Sequence, residues 1–299
     1  MRETIEYWLV LGVARCLGWM PRAIARLFAD GLAVLVYAAL GRLRRVGMRN
    51  LALGLPELLD GERRTILRRV YRNLGWQLVE FCRMARYTRD NTRAWIRTEG
   101  LEHYLAARAR GAGVLILTGH LGAWELSSFY HSLMGFPMGI VIRRLDNRCL
   151  DGFVNGIRCM HGNQVLHKDD FARGLLKTMH EGGTVGILMD TNMTPPQGIF
   201  AEFFGRQACT ASGLARVALK TNAAVLPGFL VWEQAERRYV LHFGPELGFS
   251  RSDNPEEDVQ AATQQCNRVL ESWVRRYPDQ WLWIHRRWKT RPAGEPGLY

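Results

Sequence analysis

No stretch of this 299-residue chain is apolar for long enough to read as a simple membrane-spanning helix. The longest charge-free run, Leu126–Ile142, is 17 residues and contains Gly135 and Pro137. A span needs about 20 predominantly apolar residues. Such a run reads instead as a buried helix, a turn and a strand. Cysteine is sparse and scattered, at positions 16, 82, 149, 159, 209 and 266. None forms CxxC or a zinc-like cluster with histidine, which excludes a disulfide framework and points to structural thiols in a reducing compartment. Proline is limited to 11 residues, and no repeat or low-complexity segment is visible. Wholesale disorder and a coiled-coil rod are thereby excluded. No secretory leader pattern is present, because Glu3, Glu6 and Arg15 interrupt any apolar core near the N-terminus.

Acidic residues are also in deficit. Asp and Glu number 28 against 40 Lys and Arg, a formal charge of +12. Lysine is nearly absent from that total, with only Lys168, Lys177, Lys220 and Lys289. A basic surface favours anionic partners: nucleic acid, anionic lipid headgroups or an acidic carrier protein.

The remaining composition is that of a globular protein, 47% hydrophobic and 23% charged. The length predicts about two domains, or one large α/β domain with an appendage. Within the first 50 residues, Tyr7–Ala14 and Gly31–Gly41 are free of charge, with Arg15, Arg22, Arg26 and Asp30 between them and a basic run, Arg42, Arg44, Arg45 and Arg49, after them. Two short helices hinged at Pro21, lying in a membrane interface with arginines at the headgroups, fit this pattern. A helical hairpin packed on the core is the plainer alternative. Residues 1–50 are therefore set apart as a membrane-associated helical segment, and 51–299 as the α/β domain. Glu62–Arg86 has helical periodicity, and its Arg63, Arg64, Arg68, Arg69 and Arg72 read as a solvated face.

From Gly111 onward, strand-like and helix-like runs alternate. The strands are Val114–Thr118, Gly139–Ile142, Gln164–His167, Thr184–Met189, Ala224–Val231 and Tyr239–Phe243; the helices are Ala123–Leu133, Leu150–Met160, Phe171–Glu181, Ser212–Thr221 and a closing Pro255–Tyr277. This order predicts a mostly parallel central sheet flanked by helices.

In such sheets, sites form beyond the carboxyl ends of the strands. His120 and Glu125 follow the first of these strands, Arg143 and Arg144 the second, and Asp190 the fourth. On a regular helix, residues five apart are turned by ~140° net and share no face. His120 and Glu125 meet only if His120 sits in the loop before the helix, which Gly119 and Gly122 permit. A carboxylate on one ring nitrogen would fix the tautomer and leave the other as a general base, worth ~10²–10⁴ in rate. A structurally paired histidine is the competing reading. No GxSxG, GxGxxG, P-loop or HExxH occurs, and no cysteine lies near His120, so a substrate hydroxyl would be the nucleophile. His161 and His167 read as ordinary surface or core residues. Trp281–Lys289 interleaves aromatic and basic residues. Such a run suits a nucleic-acid stacking platform, but an alternating strand feeding a basic, interface-facing tail explains it better.

His120-Leu-Gly-Ala-Trp-Glu125 resembles the HxxxxD/E motif of the lysophospholipid-acyltransferase superfamily. More narrowly, the chain resembles the bacterial lipid A biosynthesis late acyltransferases, which carry lauroyl or myristoyl groups. The supporting stretches are Arg49-Asn50-Leu51 with Leu55-Pro56-Glu57, Gly198–Gly205 with Thr210, Ala224–Pro227, and Tyr277–Pro292. Together they span nearly the whole chain.

The resemblance implies an enzyme on the cytoplasmic face of the cell inner membrane. It would move a fatty acyl chain from acyl carrier protein or acyl-CoA to a hydroxyl of a glycolipid, with no cofactor or metal and no nucleic-acid partner. It implies His120 as general base with Glu125 as its partner, and Arg158 and Asp190 near the pair. Phe203, Phe204 and Gly205, with Thr210, would shape the acyl or acceptor groove. Arg143, Arg144 and Arg158 suit either an oxyanion or an acceptor phosphate. One departure stands out. Enteric lipid A enzymes carry a second acidic residue and Tyr-Gly-Pro after the equivalent of Asp190, where this chain has Thr191-Asn192-Met193-Thr194-Pro195-Pro196. Mannoside and other lipid acyltransferases share the framework. The rival classes are a thioester hydrolase and a non-catalytic basic protein that binds membrane or nucleic acid.

Overall fold

The computed structural model describes residues 2–167 and 171–299. It opens with four helices, α1 (Arg2–Trp19), α2 (Arg22–Ala39), α3 (Gly41–Gly54) and α4 (Asp60–Arg83), then a short α5 (Arg89–Thr92). The alternating part follows as β1 (Ile96–Glu99), α6 (Leu101–Ala109), β2 (Val114–Thr118), α7 (Trp124–Leu133), β3 (Gly139–Ile142), α8 (Arg148–Arg158), β4 (Gln164–His167), α9 (Phe171–His180) and β5 (Thr184–Leu188). A hairpin of β6 (Gly198–Phe203) and β7 (Arg206–Ala211) interrupts it. The chain then forms α10 (Gly213–Thr221), β8 (Ala224–Glu233), β9 (Arg238–Phe243) and α11 (Pro255–Arg276).

Seven strands form one sheet in the order β1-β9-β8-β2-β5-β3-β4. Every neighbouring pair is parallel except β8–β9. Alternation along the strands feeds two cores. Leu115, Leu117, Val185 and Val225 face α9, α10, α11 and the C-terminal tryptophans. Val114, Ile116, Ile140 and Leu226 face α6 and α7. The α/β architecture with a mostly parallel sheet is as the periodicity predicts. Strand β1 and the β6–β7 hairpin are additions that the sequence reading did not contain.

The N-terminal helices divide their residues unusually. Helix α2 buries the small Ala25, Ala29 and Ala33, and α4 receives it closely at Gly75, where a β-carbon would lie 3.1 Å from the Ala29 carbonyl oxygen. Its large residues Ile24, Leu27, Phe28, Val34 and Leu35 are exposed, and so are Trp8, Leu9, Val13 and Trp19 of α1. No single helix among the described residues is long and apolar enough to cross a membrane, although α2 and α3, bent by 89° at their junction, pass that test together. The expected boundary at residue 50 falls inside α3. There Asn50 is fully buried and donates from Nδ2 to the Trp283 and His285 carbonyls, at 2.6 Å each.

The C-terminal segment corrects the sequence reading. It forms no alternating strand and no interface-facing tail. Trp281 makes one isolated bridge to Leu121. Trp281, Trp283, Arg287 and Trp288 are all at most 1% exposed.

Candidate active site

Register builds the site. Strands β2 and β5 run side by side with Thr118 opposite Leu188, and the ladder continues one step as Met189 N–H donates to the Thr118 carbonyl at 3.0 Å. His120 and Asp190 each lie two residues past their strand ends, so they meet. The Asp190 carboxylate accepts the His120 backbone N–H at 2.7 Å and engages its ring Nδ1 at 2.9 Å. Trp281 Nε1–H donates to the same carboxylate at 2.8 Å. Gly119 makes room, since a β-carbon there would stand 3.0 Å from Asp190 Cγ. Gly122 turns the chain into α7 at φ +64°, where a β-carbon would strike the Leu230 carbonyl oxygen.

The expected His120–Glu125 couple is therefore corrected: the carboxylate on the imidazole is Asp190. Glu125, in the first turn of α7, is held instead by Arg158 of α8. Arg158 Nε donates to Oε2 at 2.8 Å, and its Nη2 donates to Oε1. Glu125 remains near enough to His120 to act on it through charge. Four residues named from sequence, His120, Glu125, Arg158 and Asp190, thus come together.

Charge states follow from this packing. Burial opposes a charged imidazole, but the charge and hydrogen bond of Asp190, with Glu125 nearby, outweigh it and raise the His120 pKa above 6.5. Burial also opposes the Asp190 carboxylate, yet His120 and the N–H donors of Trp281 and His120 hold it down to about 2.

A cavity of about 690 Å³ opens beside His120, lined by Trp124, Glu125 and Arg158 at one end and by Ile116, Met138 and Gly186 along the sheet. Its wall is mainly apolar. Arg143 also lines it, at its exposed rim. Arg144 is exposed and is not among the lining residues. Nor do Phe203, Phe204, Gly205 and Thr210 line the cavity. Phe203 and Phe204 pack against Trp281, Trp283 and Trp288. Gly205 completes the β6–β7 turn at φ +68°. The Thr210 hydroxyl meets Arg287 Nη2 at 2.5 Å and Asn267 Nδ2 at 3.1 Å. Among the described residues, no group of three or more His, Cys, Asp and Glu is arranged to hold a metal ion.

The C-terminal residues that the sequence reading sent to a tail buttress the loop after Asp190. Buried Arg287 donates to the carbonyls of Thr191 at 3.3 Å and Cys209 at 2.9 Å. The Asn192 N–H donates to His285 Nε2 at 2.9 Å. Burial lowers the His285 pKa to about 4, with the charges of His120 and Arg287 opposing the pull of Asp190, so the ring is neutral and able to accept that bond near pH 7. The cue in the sequence is three tryptophans within eight residues, Trp281, Trp283 and Trp288, a density that a solvated tail does not carry.

An imidazole–carboxylate couple at the carboxyl edge of a mostly parallel sheet, opening on a mainly apolar cavity, is the arrangement of an enzyme with room for an apolar substrate. The pattern of the bacterial lipid A biosynthesis acyltransferases matches residues 1–290, and the chain belongs to that family of acyltransferases. It is 27% identical to the lipid A biosynthesis lauroyltransferase of Escherichia coli K12 over 294 residues, covering 98% of this chain and 94% of that protein. It is 28% identical to the lipid A biosynthesis palmitoleoyltransferase of the same organism over 300 residues, 98% and 95% of the two chains. The E. coli myristoyltransferase of lipid A biosynthesis is 23% identical over 252 residues, 84% of this chain and 77% of that protein.

Proposed function

We propose that this acyltransferase moves a fatty acyl chain from a thioester, on acyl carrier protein or coenzyme A, to a hydroxyl of a lipid A precursor. The observation that carries the reading is His120. Its Nδ1 is committed to a buried carboxylate, while the side chain itself stays 25% exposed. The ring itself lines the apolar cavity. The lipid A acceptor comes from the relatives' names.

In this mechanism Nε2 takes the proton of the acceptor hydroxyl as its oxygen attacks the thioester carbonyl. Asp190 holds the Nδ1–H and stabilises the imidazolium that forms. The negative charge that develops on the carbonyl oxygen meets the positive end of α7, which has no side-chain cap and enters the cavity through Trp124 and Glu125. Glu125 fixes Arg158 beside it. Collapse of the intermediate expels the thiolate, which recovers the proton from His120. Arg143 at the rim, with exposed Arg144 next to it in sequence, suits the phosphates of the acceptor. Phe203, Phe204, Gly205 and Thr210 serve by packing behind the Asp190 loop.

The first helices form the membrane-facing part, on the cytoplasmic side of the inner membrane, and the rest forms the catalytic part. Helix α1 reaches the rim: Asn147, the N-cap of α8, donates from Nδ2 to the Glu3 carbonyl at 2.8 Å. Its exposed apolar face therefore borders the entrance.

Purified protein supplied with an acyl thioester and a lipid A precursor should yield the precursor with one added acyl chain by mass spectrometry. His120→Ala should lose roughly 10²–10⁴ in turnover while keeping its fold. Near-wild-type transfer by folded His120→Ala would sink the mechanism. Free fatty acid with no acylated acceptor would assign a hydrolase instead.

A further inference from the structure

The cavity straddles the sheet. Strands β3 and β5 are paired only at Gly139–Val185 and Ile140–Gly186. Beyond that, Val141 and Ile142 part from Ile187 and Leu188, and all four line the cavity. One arm lies on the α7 side, over Thr118, Ile116, Gly186 and Ile140. The other lies on the α10 side, against Val141, Ile187, Leu214 and Val217.

We propose that Gly186 and Met138 form the floor of the α7-side arm and set the length of the acyl chain it accepts; this rests on the acyl-transfer reading above. Register defines the floor. Ile116, Gly186 and Ile140 are direct neighbours in one row across three strands. One row deeper, Val114 and Thr184 are buried and do not line the cavity. Thr184 is sealed from below by a hydrogen bond of 2.9 Å to the Tyr104 hydroxyl.

Gly186 has no packing reason to be glycine. Its φ is not positive, and the nearest atom to a β-carbon placed there would be Met138 Sδ at 3.4 Å, an ordinary contact. Gly228 differs, since its β-carbon would lie 2.4 Å from Ile116 Cγ2. A glycine inside a central strand weakens it, and such a position often admits a ligand closely. What the missing side chain leaves at Gly186 is cavity. Met138, flexible and polarizable, closes the end beside it.

His120 is four residues above Ile116, so the arm is at most about 13 Å deep at the strand rise of about 3.3 Å. That holds on the order of ten carbons of an extended chain, at about 1.3 Å of zigzag rise per carbon. The α7 arm takes the transferred chain because His120, Glu125 and Arg158 stand at its head.

The test uses the purified full chain and Gly186→Ala, Gly186→Val, Met138→Ala and Val217→Phe, the last filling the other arm. Two readouts are taken: transfer from acyl carrier protein thioesters graded in two-carbon steps to a lipid A precursor, and calorimetric binding of free fatty acids of the same lengths. Gly186→Ala should move the optimum one step shorter, Gly186→Val further, and Met138→Ala longer. Affinity should fall about tenfold for each two methylenes excluded. Should Gly186→Val fail to fold, the two alanine variants still decide. An unchanged optimum in folded Gly186→Ala and Met138→Ala overturns the proposal, as does a shift produced by Val217→Phe in their place. If fatty acids bind with the expected length preference but no precursor is acylated, the acceptor reading fails and the floor stands. If wild type binds them without preference for length, the floor fails.

Discussion

Two opposing influences set the charge of His120. Burial disfavours the imidazolium, but the charge and hydrogen bond of Asp190, together with the charge of Glu125, outweigh it, so its pKa lies above 6.5. A general base must be unprotonated, so kcat/KM should rise with pH through a titration centred above 6.5. In Asp190→Asn the attraction of Asp190 is gone while burial and the weaker pull of Glu125 remain, so the midpoint should move down even as the maximal rate falls. A pH–rate profile of both proteins checks this, and an unmoved midpoint would contradict the assigned partner. Stability follows the same couple with opposite limits. The raised His120 pKa contributes stability that is complete below 6.5 and is lost as pH rises through the folded value. The depressed Asp190 pKa contributes above 3.8 and is lost as pH falls toward about 2. Both contributions coincide in mildly acidic solution. Removing the indole donor by Trp281→Phe leaves Asp190 short of one buried hydrogen bond and should cost about 1–3 kcal/mol in a denaturant titration. The sequence made His120 legible through its place after a strand, but not its partner. Spacing within one motif suggested Glu125, whereas contact was decided by equal offsets from the ends of two strands whose register no local pattern encodes.

At the scale of elements, one buried carboxylate fastens α2 to the body. Glu80 of α4 is fully buried and accepts from Arg22 Nε at 3.0 Å, from Arg26 Nη2 at 2.6 Å and from the Tyr87 hydroxyl. The guanidinium of Arg22 lies 4.0 Å over Trp95, and that of Arg26 lies 4.4 Å from both Trp76 and Trp232. Glu80→Ala would leave two confined cations without their anion, at a cost of about 3–5 kcal/mol. The expected result is a lowered denaturation midpoint together with protease sensitivity at the α1–α2 junction; an unchanged midpoint would show that the aromatic rings alone hold α2. Periodicity announced α4, α7, α10 and the central strands because each is amphipathic or wholly buried over its length. It missed the β6–β7 hairpin, whose inward and outward residues do not separate by polarity. It also misread Trp281–Lys289, where tertiary burial rather than any local repeat decides the conformation.

For the whole molecule, the exposed face of α1 and α2 has to be weighed against the charge of +12. A helix in water places its large apolar residues inward, whereas α2 turns alanines inward and Leu27, Phe28 and Leu35 outward. Apolar area on this scale marks an interaction surface, and the neighbouring arginines of α3, Arg42, Arg44, Arg45 and Arg49, suit anionic headgroups. The two forces are separable. Attraction of arginine to anionic lipid is screened by salt over about 10 Å at 0.1 M, while burial of tryptophan and leucine in the acyl region is not. Binding to anionic vesicles should therefore weaken with salt to a plateau rather than vanish. Replacing Trp8, Leu27 and Leu35 together by glutamate should abolish that plateau, as read by vesicle flotation, with the fold unchanged by circular dichroism. A charge-only protein would lose all binding at high salt and be nearly indifferent to the loss of apolar side chains. A hairpin that merely packs on the core would bind no vesicles in the first place. Under the proposed function, vesicle binding through this surface would let an acceptor held in the membrane meet the entrance beside α1 without leaving the lipid.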